Sequence, residues 1–166
     1  MPDPSTRSYF HRGGARPLSG ATIADHFASV ATRHPDNEAI VSIPQGRRLS
    51  YAELARETDR MARALLAVGF AKGERIGVWA TSNIEWLELQ MATARIGAVL
   101  VNINPANRPR ELAHALTRSR VQGLFTMPAF RTSNYVDMLV ELMPELKQLR
   151  AGEDLAVHRA IRSHPR

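Results

Sequence analysis

The chain has 166 residues, a hydrophobic fraction of 44%, a charged fraction of 23%, no cysteine and a net charge of +6, as expected of a single soluble globular domain. The absence of thiols excludes disulfide frameworks, thiolate zinc sites and thiol nucleophiles, and the apolar runs are too short for a transmembrane segment. The excess charge sits at the ends, +2 in residues 1–20 and +3 in residues 147–166, and aromatics make up only 6% of the chain, so no nucleic-acid partner is expected.

The opening MPDPSTRSYFHRGG has no apolar core of a signal peptide. Its prolines and glycines, with Pro17, break the amphipathic helix of a transit peptide, and a cytoplasmic location is expected. Residues 1–20 read as an arm. The first firm element starts at Thr22, where Thr-x-x-Asp precedes Ile23, Phe27 and Val30 at helical spacing, and it runs until Pro35. EAIVSI and RLSY around PQGR predict two short strands joined by a turn. Ser50 and Glu53 form a capping box for a helix whose face is lined by Leu54, Met61, Leu65 and Val68 and which ends at Gly69.

RIGVWA then reads as a buried strand, Ser82 and Glu85 as a second capping box, and Gly97 as the end of the helix that follows. The stretch RIGAVLVNINP, Arg95 to Pro105, predicts a central strand of a parallel sheet, buried on both faces. Its carboxyl end at Asn104-Pro105 is where open α/β folds hold ligands, although a strand stopped by Pro105 and a turn capped by Asn104 is the commoner case. A helix entered at Pro109 with Leu112, Ala115 and Leu116, a strand around GLFTM, and a last helix through Tyr135, Met138, Leu139 and Leu142 complete the series. Alternating strands and helices of these lengths predict an α/β fold, a mostly parallel sheet flanked by helices.

Motifs for phosphate chemistry are absent. Lys72 and Lys147 are the only lysines, and neither follows a glycine-rich loop. Gly69, Gly73 and Gly77 serve backbone fit, the histidines show no metal-ligand spacing, and Trp79 and Trp86 sit at core spacing.

The segments RSYFHRG, PLSGATI, RLSYAEL, KGERIGVWATSNIEWLELQMATARIGAVLVNINPANRPREL and FRTSNYVDMLVELMPEL, in this order, closely resemble the amino-terminal part of the AMP-forming acyl-CoA synthetases, of the medium-chain fatty-acyl type. The resemblance runs from Arg7 to Leu146. It implies part of the large amino-terminal domain of that fold, with residues 21–146 as an α/β subdomain of the AMP-binding domain. It also implies an enzyme that joins a fatty acid to the AMP part of ATP, with Mg2+ present and pyrophosphate leaving, and then lets the thiol of coenzyme A displace AMP from the acyl-adenylate to give the thioester.

The Pro-Lys-Gly phosphate loop and the later acidic, arginine and lysine motifs of the family are missing here. The chain therefore reads as an amino-terminal fragment, inactive alone, with no catalytic and no metal residue and no tightly bound cofactor. Two departures stand out: Trp79-Ala80-Thr81-Ser82 where the family commonly reads Trp-Ala-Pro-Asn, and Asn107 where it commonly reads Tyr. The family's Asn-Pro loop lies near the path of the coenzyme A nucleotide, so the resemblance makes Arg108 and Arg110 candidates for its phosphates. Residues 147–166 read as an off-pattern, poorly ordered tail, and apolar surface left uncovered predicts self-association. A stand-alone nucleotide- or coenzyme A-binding module and a basic interaction protein are the competing readings.

Overall fold

The computed structural model describes residues 19–150. The arm and the tail expected at the two ends lie almost wholly outside them. Helix α1 (Ile23–Arg33) starts at Thr22, whose hydroxyl accepts the Asp25 N–H. Strands β1 (Glu38–Ser42) and β2 (Arg47–Ser50) pair antiparallel, and α2 (Tyr51–Ala67) follows at once. Its capping box is complete: Ser50 Oγ accepts from the Glu53 N–H at 3.2 Å, and Glu53 accepts from the Ser50 N–H at 2.8 Å. Leu54, Thr58, Ala62 and Leu65 form its buried stripe. Val68, expected on that face, is instead 71% exposed, because it is the C-cap residue and lies past the last helical turn.

Strand β3 (Arg75–Trp79), helix α3 (Ile84–Ile96), strand β4 (Val99–Ile103), helix α4 (Pro109–Ser119) and strand β5 (Gly123–Thr126) build a three-stranded parallel sheet in the order β4-β3-β5. The central strand is therefore β3, buried at four of its five positions. The expectation that AVLVNI would be central is corrected: β4 has one strand neighbour among the described residues, and Val99 is 47% exposed. Helices α3 and α4 cover opposite faces of the run, Leu100 packing with one core layer and Val101 and Ile103 with the other, so burial on both faces accounts for its apolar character even at an edge.

Alternation along β3 sorts the core into two layers. Ile76 and Val78 face Ala62, Leu65, Leu89 and Ala92 of α2 and α3. Trp79 turns the other way, toward Leu112, Leu116 and Val121 and toward Tyr135 of helix α5 (Tyr135–Leu142). Gly77 shares that second face, where a Cβ would lie 3.0 Å from the Leu124 side chain. A short hairpin, β6 (Ala129–Phe130) and β7 (Ser133–Asn134), and a 3-10 turn at Pro144–Lys147 were not signalled by periodicity, since each holds only about one repeat of its pattern.

Candidate functional site

The loop expected to hold a ligand is built as a structural corner. Asn104 Oδ1 accepts the Ala106 N–H at 2.9 Å, and the Asn107 N–H donates to the Asn104 carbonyl at 3.0 Å, which closes the turn locally. Trp79 Nε1–H donates to the same Asn104 carbonyl at 3.1 Å. The Tyr135 hydroxyl donates to the Pro105 carbonyl at 2.6 Å. The two rings stack with centroids 3.9 Å apart and planes 12° apart, fully buried, and burial pushes the Tyr135 phenol above its ordinary pKa. The Asn104 carbonyl is thus spent on β3 and on the turn itself, and the Pro105 carbonyl on α5.

Topology places the open crevice elsewhere. The connection from β3 leaves through α3 on one face, whereas β4 crosses through α4 on the other face to reach β5. The strand order reverses between β3 and β5, and ligands in open α/β sheets bind at such a point. A cavity of about 260 Å3 lies there, lined among others by Val78, Ala80, Asn83, Trp86, Phe125 and Met127. Its walls are mostly apolar, with Asn83, Glu85 and Thr126 as their polar residues, and the Thr81 hydroxyl donates to Met127 Sδ at 3.5 Å beside it. Such walls suit a small uncharged group and offer no cation to a phosphate.

Asn83, not Ser82, caps α3, its Oδ1 accepting the Trp86 N–H at 2.7 Å. The capping box expected at Ser82 and Glu85 is corrected accordingly: Glu85 turns outward to Arg47, at 3.0 Å, and to Gln45 in the β1–β2 turn, at 2.7 Å. Gln45 Oε1 also accepts the Ile84 N–H at 2.9 Å, so the hairpin turn caps α3 from outside its own sequence. Hydrogen bonding by its own backbone N–H, opposed by burial and reinforced by Gln45 and Arg47, lowers the Glu85 pKa.

Arg108 and Arg110 both stand exposed at the start of α4. The Arg108 N–H donates to Glu111 Oε2 at 2.9 Å, and its guanidinium donates to Ser133 Oγ at 3.2 Å. The two arginines line a shallow depression of about 420 Å3 together with Pro109, Met138, Glu111 and Glu141, so two carboxylates share the rim with them.

The described residues do not fit ATP or magnesium. No group of three or more His, Asp or Glu able to hold a metal occurs among them. The amino termini of α1, α2, α3 and α5 are capped by Thr22, Ser50, Asn83 and Asn134, whereas at α4 Glu111 takes the Arg108 N–H and no side chain caps the first turn. Lys72 lies before β3 at the far end of the sheet, its stem against Gly97.

An AMP-binding enzyme family matches residues 27–162. The chain belongs to the AMP-binding enzyme family. The match takes in residues 147–162, which by sequence likeness had read as off the family's pattern. The chain is 34% identical over 147 residues to the mitochondrial medium-chain acyl-CoA ligase ACSF2 of Danio rerio, covering 89% of this chain and 24% of that protein. To its Mus musculus counterpart it is 36% identical over 135 residues, covering 81% and 22%. The match falls in the amino-terminal part of these ligases, so the chain spans about a quarter of their length. Among solved structures, the fatty acyl CoA synthetase of Mycobacterium tuberculosis superposes with a TM-score of 0.62 at 28% identity, over 63% of this chain and 21% of that one. The N-terminal subdomain of Klebsiella oxytoca NpsA shares the fold, with a TM-score of 0.62 at 24% identity over 66% and 28%. This AMP-binding family member therefore has the α/β architecture that the sequence led one to expect, with three parallel strands between helices.

Proposed function

We propose that this family member is the amino-terminal portion of an ATP-dependent fatty-acid–CoA ligase of medium-chain type, and that these residues alone do not catalyse. The observation that carries the proposal is the family match across residues 27–162 on a chain that spans about a quarter of the length of the ligases it matches. Stabilising the transferring phosphoryl group needs preorganised donors, a lysine and a metal around it. The chain's role in the complete enzyme is then scaffolding: β3 and its two helical layers hold the crevice between β3 and β5 for segments supplied by the rest of the ligase. ATP, Mg2+, coenzyme A and a fatty acid belong to that complete enzyme. Incubating the purified chain with ATP, Mg2+, coenzyme A and octanoate, and measuring pyrophosphate and octanoyl-CoA, tests the proposal. No turnover is expected, and turnover that scales with protein through further purification rejects it.

A second reading, binding of coenzyme A without catalysis, is favoured by the exposed Arg108 and Arg110 and opposed by Glu111 and Glu141 on the same rim. Replacing both arginines by alanine should weaken coenzyme A binding and flatten its salt dependence if the depression is the site. Identical titration curves reject it. The cytoplasm is proposed as the compartment, whereas the ACSF2 relatives are named as mitochondrial. Mitochondrial colocalisation of a carboxyl-terminal fluorescent fusion would rule this out.

A further inference from the structure

Glu88 is 4% exposed on α3, one residue before Leu89 and four before Ala92, which pack on α2. Across the seam, the α2 stripe contains Thr58, whose buried hydroxyl has no hydrogen-bond partner. Four charged groups act on Glu88: Glu57 and Arg60 from α2, Glu85 from its own helix, and Arg47 from β2. Both arginines are engaged by other carboxylates. Arg47 Nη1 lies 3.0 Å from Glu85 Oε1, and Arg60 Nη2 lies 2.5 Å from Glu57 Oε2. No ion pair or hydrogen bond joins Glu88 to any of these groups among the described residues.

We propose that the α2–α3 seam is a proton-linked latch, which Glu88 holds closed as a neutral acid and opens as a carboxylate. A carboxylate here has lost water, faces two other carboxylates, and finds their arginines already taken. Among the described residues, the cations that act on it are Arg47 and Arg60, so pairing means competing with Glu85 for the first or with Glu57 for the second. The first competition weakens the hold of the β1–β2 hairpin on α3, so the response spreads from one side chain to two elements.

Burial, then the charges of Glu57 and Glu85, push the Glu88 pKa above its ordinary value of 4.5, with Arg47 and Arg60 opposing. The folded chain therefore binds more protons than the unfolded chain between the ordinary value and the folded one. Stability is greatest below that window and falls as pH rises through it, then levels off.

Two measurements on the 166-residue chain test the latch. The first is the denaturation midpoint at about pH 5 and about pH 8 for the parent chain and for Glu88→Gln. The parent midpoint should fall between the two, and Glu88→Gln should remove most of that fall. The second is an NMR titration of the Glu88 side-chain carboxyl in the parent chain and in Glu57→Gln. Its midpoint should lie above 4.5 and should drop when Glu57 is neutralised, which takes away a repelling charge and frees Arg60. The second measurement decides even where Glu88→Gln fails to fold. Equal pH slopes in parent and Glu88→Gln, or a Glu88 midpoint at or below 4.5, would overturn the proposal.

Discussion

Tyr135 shows what a single atom contributes at the carboxyl end of the sheet. Its ring stacks on Trp79 while its hydroxyl meets the Pro105 carbonyl at 2.6 Å. Tyr135→Phe keeps the stack and removes only the donor, leaving that carbonyl without this partner in a buried corner. A loss of about 1 kcal/mol is expected, read as a lower urea midpoint at unchanged slope. An unchanged midpoint would mean that water replaces the phenol without loss. Tyr135 was legible in the sequence only as one apolar position of a helix, because period 3.6 reports which face is buried and nothing about a hydroxyl's partner. Gly97 was fully legible. Its place between ATARI and AVLV demanded a left-handed stop, and it has φ of +72°, with Lys72 Cγ 3.0 Å from where a Cβ would stand. Gly123 was not, since its need comes from a residue far away in sequence: a Cβ there would lie 2.4 Å from Phe70 Cζ.

At the scale of elements, the sequence told more about helices than about sheets. Caps and apolar stripes are local, so α1, α2 and α5 begin where their capping side chains stand and α4 begins at Pro109. Strand order is not local. AVLVNI and RIGVW are both short, largely apolar runs, and only pairing decides that RIGVW lies between its neighbours. The same reason moved the candidate crevice from the end of β4 to the gap between β3 and β5. Helix α3 is the instructive exception among helices, since part of its cap arrives from Gln45, 39 residues upstream of Ile84. Gln45→Ala should cost about 1 kcal/mol, in the range of a lost N-cap, and should speed hydrogen exchange at the Ile84 amide more than at the Trp86 amide, which keeps Asn83. Equal protection of Ile84 in both proteins would show that the hairpin turn is not a working cap.

At the scale of the whole molecule, the three-stranded sheet has an outer edge on β4 and another on β5 with no strand partner among the described residues. Edge strands with free N–H and C=O groups and apolar side chains invite pairing with another chain. On β4 the invitation is plain: Val99 is 47% exposed at the strand's start, and no residue of Val99–Ile103 carries a charge. The matched ligases are about four times longer than the matched region. Purified alone, the chain should therefore self-associate through β4, with an apparent mass by sedimentation that rises with concentration. Val99→Lys places a cation on the edge, which is how natural sheets discourage this pairing, and it should shift the association to about tenfold higher concentration, equivalent to about 1.4 kcal/mol. The thermal midpoint of the dilute chain should change little, because Val99 packs into neither core layer. A parent chain that stays monomeric over the whole accessible range would reject self-association, and a Val99→Lys chain that associates as the parent does would move the contact away from β4.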